Sequence, residues 1–175
     1  MRQKPAAPVA ILIGSDSDLP AMAECARVLE SYGTAYDVQV ISAHRTPDAA
    51  ARFARGAAAR GVKVIVAGAG GAAHLAGALA AHSTLPVIGV PLEGSPLHGL
   101  DALLSTVQMP PGIPVATVGV GVMGAKNAGH LAVTILALQD AALAARLRER
   151  RQQLAAEVQQ KSRALPDKLR RLLQG

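Results

Sequence analysis

Short uninterrupted apolar runs alternate along this chain with longer stretches of helical period, and that alternation constrains the fold more than any other feature. Residues 8–13 (Pro-Val-Ala-Ile-Leu-Ile) read as a buried strand, and 19–32 as a helix stopped at Gly33. Residues 36–41 alternate and are rich in β-formers. Thr46-Pro47-Asp48 predicts a helix start, with Thr46 as N-cap and Pro47 at the first helical position, and the helix should run to about Arg60 and end at Gly61. Residues 62–67 predict a third strand, a glycine-rich turn leads to a helix near 73–82, and 86–90 and 114–120 predict two more strands before a long helix begins near Ala125. Strand–helix–strand repetition implies right-handed crossovers and a parallel sheet. Continuous apolar strands imply that both sheet faces are covered. The expected fold is therefore α/β: a three-layer, doubly wound parallel sheet of flavodoxin- or Rossmann-like type over residues 1–145.

Residues 146–175 predict a basic C-terminal helical extension rather than a separate domain. Leu143, Leu147, Leu154 and Val158 fall near one helical face, Pro166 is expected to break the pattern, and Leu169, Leu172 and Leu173 would form a short second piece. The charge is just as unevenly spread. Residues 1–145 hold nine Lys/Arg against nine Asp/Glu, whereas 146–175 hold nine against three, so the tail carries the whole excess of +6. With two Tyr, one Phe and no Trp there is little to stack on bases, which argues against a nucleic-acid partner. The apolar run after Arg2 and Lys4 is too short to span a membrane and lacks a signal-peptide pattern, so the expected location is the cytoplasm with no membrane partner. Cys25 is the only cysteine, which excludes an intrachain disulfide and a cysteine-based zinc site, and its helical setting suggests a buried small hydrophobe. The aliphatic, Gly- and Ala-rich core suggests that subunit contacts add to stability.

In a doubly wound sheet, ligands bind beyond the carboxyl ends of the strands. Three loops with distinctive chemistry fall there. Gly14-Ser15-Asp16-Ser17-Asp18 opens the first helix, where free N–H groups and hydroxyls suit phosphate. The same residues would also serve as a simple cap, through Ser17 or Asp18. Ser42-Ala43-His44-Arg45-Thr46-Pro47 sets an imidazole, which exchanges protons near neutral pH, beside a guanidinium, which grips phosphate. Gly68-Ala69-Gly70-Gly71-Ala72-Ala73 matches the dinucleotide fingerprint G-x-G-x-x-A, with Glu93 at a distance suited to a ribose-binding acid. It follows the third strand rather than the first, however, and His74 comes directly after it. His82 and His130 lie in helical runs and read as structural. No histidine pair has metal-binding spacing, so no metal is expected.

Taken in order, these loops resemble the N5-carboxyaminoimidazole ribonucleotide mutases of bacteria. The similarity runs from about Val9 to Asp140. It includes Gly14-Ser15-x-Ser17-Asp18, Ser42 to Pro47, Ala67 to Leu75, and Pro86-Val87-x-Gly89-Val90-Pro91. Leu103-Leu104-Ser105-x-Val107-Gln108-Met109-Pro110 and Gly124-Ala125-x-Asn127-Ala128 complete it. Intact Ala73-His74-Leu75 and Val107-Gln108-Met109-Pro110 resemble the mutases more than the related carboxylases that use free CO2.

The resemblance implies an isomerase of purine biosynthesis that moves a carboxylate from the exocyclic nitrogen of an aminoimidazole ribonucleotide to ring carbon C4, with no cofactor or metal. It implies His44 as general acid/base and Arg45 near the 5′-phosphate. Ser15 and Asp18 would make further nucleotide contacts, with Ser42 and Ser17 in reserve. Gly70, Gly71, Ala72 and His74 would help enclose the pocket. It also implies a homo-octamer with sites shared between subunits. Ala76, where the family often has proline, and Ala102, where serine is common, depart from the pattern without removing a proposed catalytic group. The rival readings are the free-CO2 carboxylase, a dinucleotide-binding oxidoreductase, and a nucleotide-binding regulatory module touching RNA through its tail.

Overall fold

The computed structural model describes residues 7–174, which fall into two compact units, one ending at Leu136 and one starting at Ala137. The first is built on five parallel strands: β1 (Val9–Ile13), β2 (Tyr36–Val40), β3 (Val64–Gly70), β4 (Val87–Leu92) and β5 (Ala116–Thr117). Their spatial order is β2-β1-β3-β4-β5, the doubly wound flavodoxin-like arrangement. Helices α1 (Leu19–Ser31), α2 (Pro47–Ala57), α3 (Leu75–Ala80), α4 (Leu100–Val107) and α5 (Gly121–Leu136) flank the sheet. The expected fold class is the one observed.

Strand alternation decides which helix meets which face. Ala10 and Leu12 of β1, Ile65 and Ala67 of β3 and Val87 of β4 join Phe53, Ala54 and Ala57 of α2 and Leu75, Ala76 and Leu79 of α3 in one apolar core. On the opposite face the Gly68 position points at Met22 of α1, and α1 packs closely on α5. Size is graded across the first face, because Leu12 pairs with Ala67 and Ala67 with Gly89. A Cβ on Gly89 would sit 2.5 Å from Thr106 Cγ2 and 2.8 Å from Val115 Cγ1, so only glycine lets α4 lie that close to the sheet. The inner strands β1 and β3 are buried almost throughout, and each large aliphatic side chain withdrawn there from water contributes about 1.5–3 kcal/mol.

Several elements differ from expectation. Helix α4 was not anticipated, and β5 pairs over only two residues where seven were expected. Helix α3 is confined to Leu75–Ala80, so His82 lies in the exposed turn beyond it. Thr46 precedes α2, but its side chain caps nothing. Its Oγ1 instead accepts from the Ser42 N–H (3.1 Å) and donates to the Ser42 carbonyl (2.9 Å). Gly61 ends the segment in the left-handed conformation (φ 91°), as its C-cap role requires.

The second unit is dominated by α6 (Ala141–Gln174). The Asp140 carboxylate accepts from the Leu143 N–H at 2.9 Å and so caps it. The expected break at Pro166 does not occur, and the helix continues through it as one piece. Pro removes one donor to the carbonyl four residues earlier, and on a helix this exposed water can satisfy that carbonyl.

Candidate active site

The direction in which successive strands are added reverses between β1 and β3, and at such a switch point the loops leaving neighbouring strands part to form a crevice. Here that crevice has a volume of about 520 Å³, lined by residues of the β1, β2 and β3 loops together with Gly94 beyond β4. Ser15, Ser17, Asp18, Ser42, His44, Arg45, Gly70, Gly71 and His74 all line it. Ala72, also expected there, does not; its carbonyl is held by Ser105 Oγ of α4. Gly14, Ala43, Ala69, Ala73, Leu75 and Gly94 are lining residues that side-chain chemistry gave no reason to select. A larger hollow of about 820 Å³ at the opposite sheet edge is lined mainly by Ala, Pro, Leu and Val, with Arg55 and His82 among its few ionisable groups. The smaller crevice holds the convergent polar groups that mark a binding site.

The β1 loop satisfies itself. Ser15, extended at φ −150°, accepts from the Ser17 N–H (3.3 Å) and the Ser17 hydroxyl (2.9 Å), while its own N–H donates to Asp18 Oδ2 (3.1 Å). This is a reciprocal capping box, so the loop does cap, but through Ser15 with Asp18 answering it; Asp18 makes no side-chain bond to α1, and Ser17 is a donor rather than the cap. Burial is the main influence on Asp18 and raises its pKa above the usual carboxylate value. Hydrogen bonds from the Ser15 and Gly14 backbone oppose this, and the nearby Asp16 charge adds to it. Asp18 is thus a half-buried acceptor, suited to hydroxyl groups rather than to an anion.

The β2 loop closes on itself through Thr46 N–H to Ser42 carbonyl (2.9 Å) and Arg45 N–H to Ser42 Oγ (3.1 Å). This one-turn clamp carries His44 and Arg45 at its crest. Arg45 Nη2 also donates to the Gly14 carbonyl at 3.1 Å, tying the β2 loop to the β1 loop. A guanidinium has five N–H donors, so several are left for an anion.

The β3 loop delivers the third group. Gly71 (φ 60°) and Ala73 (φ 50°) both adopt left-handed backbone, which turns the chain sharply before α3. His74, thirty residues from His44 in sequence, thereby reaches it: His44 Nε2 lies 2.7 Å from His74 Nδ1, with the rings edge-on at 4.8 Å between centroids. A nitrogen–nitrogen bond of this kind needs one protonated and one bare nitrogen. One ring therefore donates to the other, with the roles set by the tautomer, and imidazole is a side chain able to take up and return a proton.

The dinucleotide reading does not match this backbone. Gly68 and Gly70 lie inside β3, paired with Val90 and Leu92, rather than in a turn whose amides could meet a pyrophosphate. Among the other histidines, His130 Nδ1 meets the Tyr32 hydroxyl at 3.3 Å between α5 and the end of α1, and His98 is exposed at φ 49°.

Comparison with known proteins points the same way as the geometry. The family model described as AIR carboxylase matches residues 8–157. The N5-carboxyaminoimidazole ribonucleotide mutase of Pyrococcus abyssi is 56% identical over 146 residues, covering 83% of each chain. That of Brucella melitensis is 57% identical over 141 residues, covering 81% of this chain and 87% of the relative. The crystal structure of Treponema denticola PurE superposes with a TM-score of 0.82 at 27% identity, covering 90% of this chain and 97% of that one.

Proposed function

Because the chain belongs to the AIR carboxylase family, we propose that it converts N5-carboxyaminoimidazole ribonucleotide to the C4-carboxylated isomer in purine biosynthesis. The observation that carries this reading is the convergence of the His44–His74 pair and Arg45 on the crevice at the sheet's switch point. In the proposed path, the bond from the exocyclic nitrogen to the carboxylate carbon breaks. Its electron pair stays on nitrogen, which takes a proton from His44 as CO2 leaves. The ring's enamine electrons at C4 then attack the trapped CO2, and His44 recovers the C4 proton, so no net proton is consumed. Arg45 holds the 5′-phosphate, Asp18 and Ser15 the ribose, and Ser17 and Ser42 assist. Gly70, Gly71 and His74, which line the crevice, keep CO2 from escaping. No cofactor or metal takes part.

We propose further that the chain acts in the cytoplasm as a homo-octamer with sites shared between subunits. Exposed apolar side chains on Leu97 just before α4, on Leu100, Leu104 and Val107 along it, and on Val38 and Val40 of the edge strand β2, support association. No helix among the described residues is long and apolar enough to cross a membrane.

The test is carboxyl transfer by the purified protein. Fresh N5-carboxyaminoimidazole ribonucleotide is supplied and the C4-carboxylated product followed by ultraviolet absorbance, with His44→Asn and with aminoimidazole ribonucleotide plus bicarbonate as parallel arms. Fast conversion that is lost in His44→Asn and slow from bicarbonate supports the mutase. Faster product from bicarbonate shifts the assignment to the free-CO2 carboxylase that the family description also covers. No product from either substrate overturns both.

A further inference from the structure

We propose that Ser105 is a positioning residue for the His44–His74 pair: from α4 it holds the carbonyl of Ala72 and so keeps the β3 turn in the form that delivers His74 to His44. The inference rests on the proposed carboxyl-transfer reading for its kinetic consequence, but not for its structural one.

The turn needs an external hold. Ala73 is not glycine, yet it sits at φ 50°, where its Cβ crowds the backbone. Left to itself the segment would relax toward ordinary backbone angles, and His74 would swing away with it. Within the turn, the Ala73 N–H donates to the Gly70 carbonyl at 3.1 Å and opposes this. The Ser105 hydroxyl adds a second hold from a different element, reaching Ala72, the residue between the two left-handed positions.

Ser105 is itself well anchored. It lies one residue before Thr106, which is buried and whose hydroxyl bonds the Ala102 carbonyl at 2.7 Å. Thr106 also packs against the Gly89 position of β4. The clamp therefore connects the sheet core to the proton-carrying pair through two hydrogen bonds, Ser105 to Ala72 and His74 to His44. A side chain that touches no substrate thus sets how His44 is aimed and which of its nitrogens carries hydrogen.

The experiment compares Ser105→Val with Ser105→Thr, which share shape and differ in the hydroxyl, in the full-length protein, with melting temperature as a check on folding. The first readout needs no substrate: nitrogen-15 spectra of histidine-labelled protein report the hydrogen state of the His44 and His74 rings. Wild type and Ser105→Thr are expected to share one imidazole pattern, and Ser105→Val to lose the coupling between the two rings. The second readout is kinetic. Ser105→Val is expected to lower kcat roughly tenfold, the effect of losing one hydrogen bond's worth of orientation, with KM changed less than about twofold. Ser105→Thr should restore the rate.

A folded Ser105→Val with wild-type histidine spectra overturns the proposal, whatever its activity. So does an equal loss in Ser105→Thr. If wild type itself transfers no carboxyl group, the functional reading fails, while the spectra still decide the role of Ser105.

Discussion

Replacing Gly129 with alanine tests the packing of the α1–α5 helical layer, because two opposing effects can be sized from the structure. Gly129 lies inside α5, where a Cβ would sit 2.8 Å from Val28 Cβ, 2.9 Å from the Cys25 carbonyl oxygen and 2.9 Å from Val28 Cγ1. Ordinary carbon contacts lie near 3.5–4.0 Å, so α5 must retreat from α1 by roughly 1 Å or both backbones must shift. Overpacking costs about 1–3 kcal/mol, and contacts with a backbone carbonyl and a Cβ, neither of which can swing aside, place this case in the upper part, about 2–3 kcal/mol. Alanine returns about 1 kcal/mol as the better helix former. The net expectation is a loss of about 1–2 kcal/mol, or a melting temperature lower by roughly 2–8 °C for a chain of this size. Gly56→Ala is the control, since its Cβ would meet only the movable guanidinium of Arg60, 2.5 Å away. Displacing that group gives up its bond to the Phe53 carbonyl (2.9 Å) and its position over the Phe53 ring, offsetting the helix gain, so this variant should stay within about 0.5 kcal/mol of wild type. Both are measured by thermal and urea unfolding at one protein concentration, since self-association would shift the midpoints. A Gly129→Ala protein as stable as wild type would refute the claim that the α1–α5 contact has no room for a methyl group.

Other expectations follow from single groups. Burial raises the pKa of Asp18 in the folded protein above its unfolded value near 3.8. The folded state therefore binds that proton more tightly, and its ionised carboxylate destabilises the fold once pH rises through the folded pKa. Asp18→Asn should accordingly melt higher than wild type at pH 7 while losing substrate affinity, and the two melting curves should converge as pH is lowered toward 3.8. Melting curves that differ equally at both pH values would show that desolvation is not the cause. Cys25 is fully buried and its thiol is pushed up to about 12, so a thiol reagent at pH 8 should label it only as fast as the protein unfolds; rapid labelling of the native state would contradict its burial. At Gly71 a Cβ would meet no atom within 4 Å, but φ is 60°. Backbone strain alone should therefore rank the variants, with Gly71→Ala losing about 1–2 kcal/mol and Gly71→Asn less in urea unfolding.

What the sequence revealed followed how locally each feature is determined. Strands β1, β3 and β4 were readable because burial on both faces leaves uninterrupted apolar runs, and β2 because β-formers alternate with polar residues in it, although both its faces are largely exposed in the chain. Helix α4 escaped because it starts at Gly99 in left-handed backbone with no Ser, Thr or Asp side chain capping it. Its Leu100, Leu103, Leu104 and Val107 nevertheless repeat at helical spacing, a signal that was available. The apolar run before α5 suggested a full strand, but at the sheet edge the register with β4 covers Ala116 and Thr117, with one more bond from the Val118 N–H to the Gly89 carbonyl. Pro166 misled because its lost donor and ring clash cost about 3 kcal/mol, which a helix of 34 residues can carry without ending. The candidate site divides in the same way. His44, Arg45 and the serine–aspartate loop stood out through residue type at strand ends, where the topology alone brings loops together. The contact that gives His44 its chemical setting did not, because it depends on two left-handed residues, one of them an alanine that no propensity would put there. A non-glycine residue held in that conformation needs a neighbour that keeps it so, and here that neighbour is Ser105, thirty-three residues beyond the carbonyl it holds. The sequence thus identifies the groups able to carry a proton, while their arrangement into a working pair depends on long-range backbone contacts that leave no local pattern.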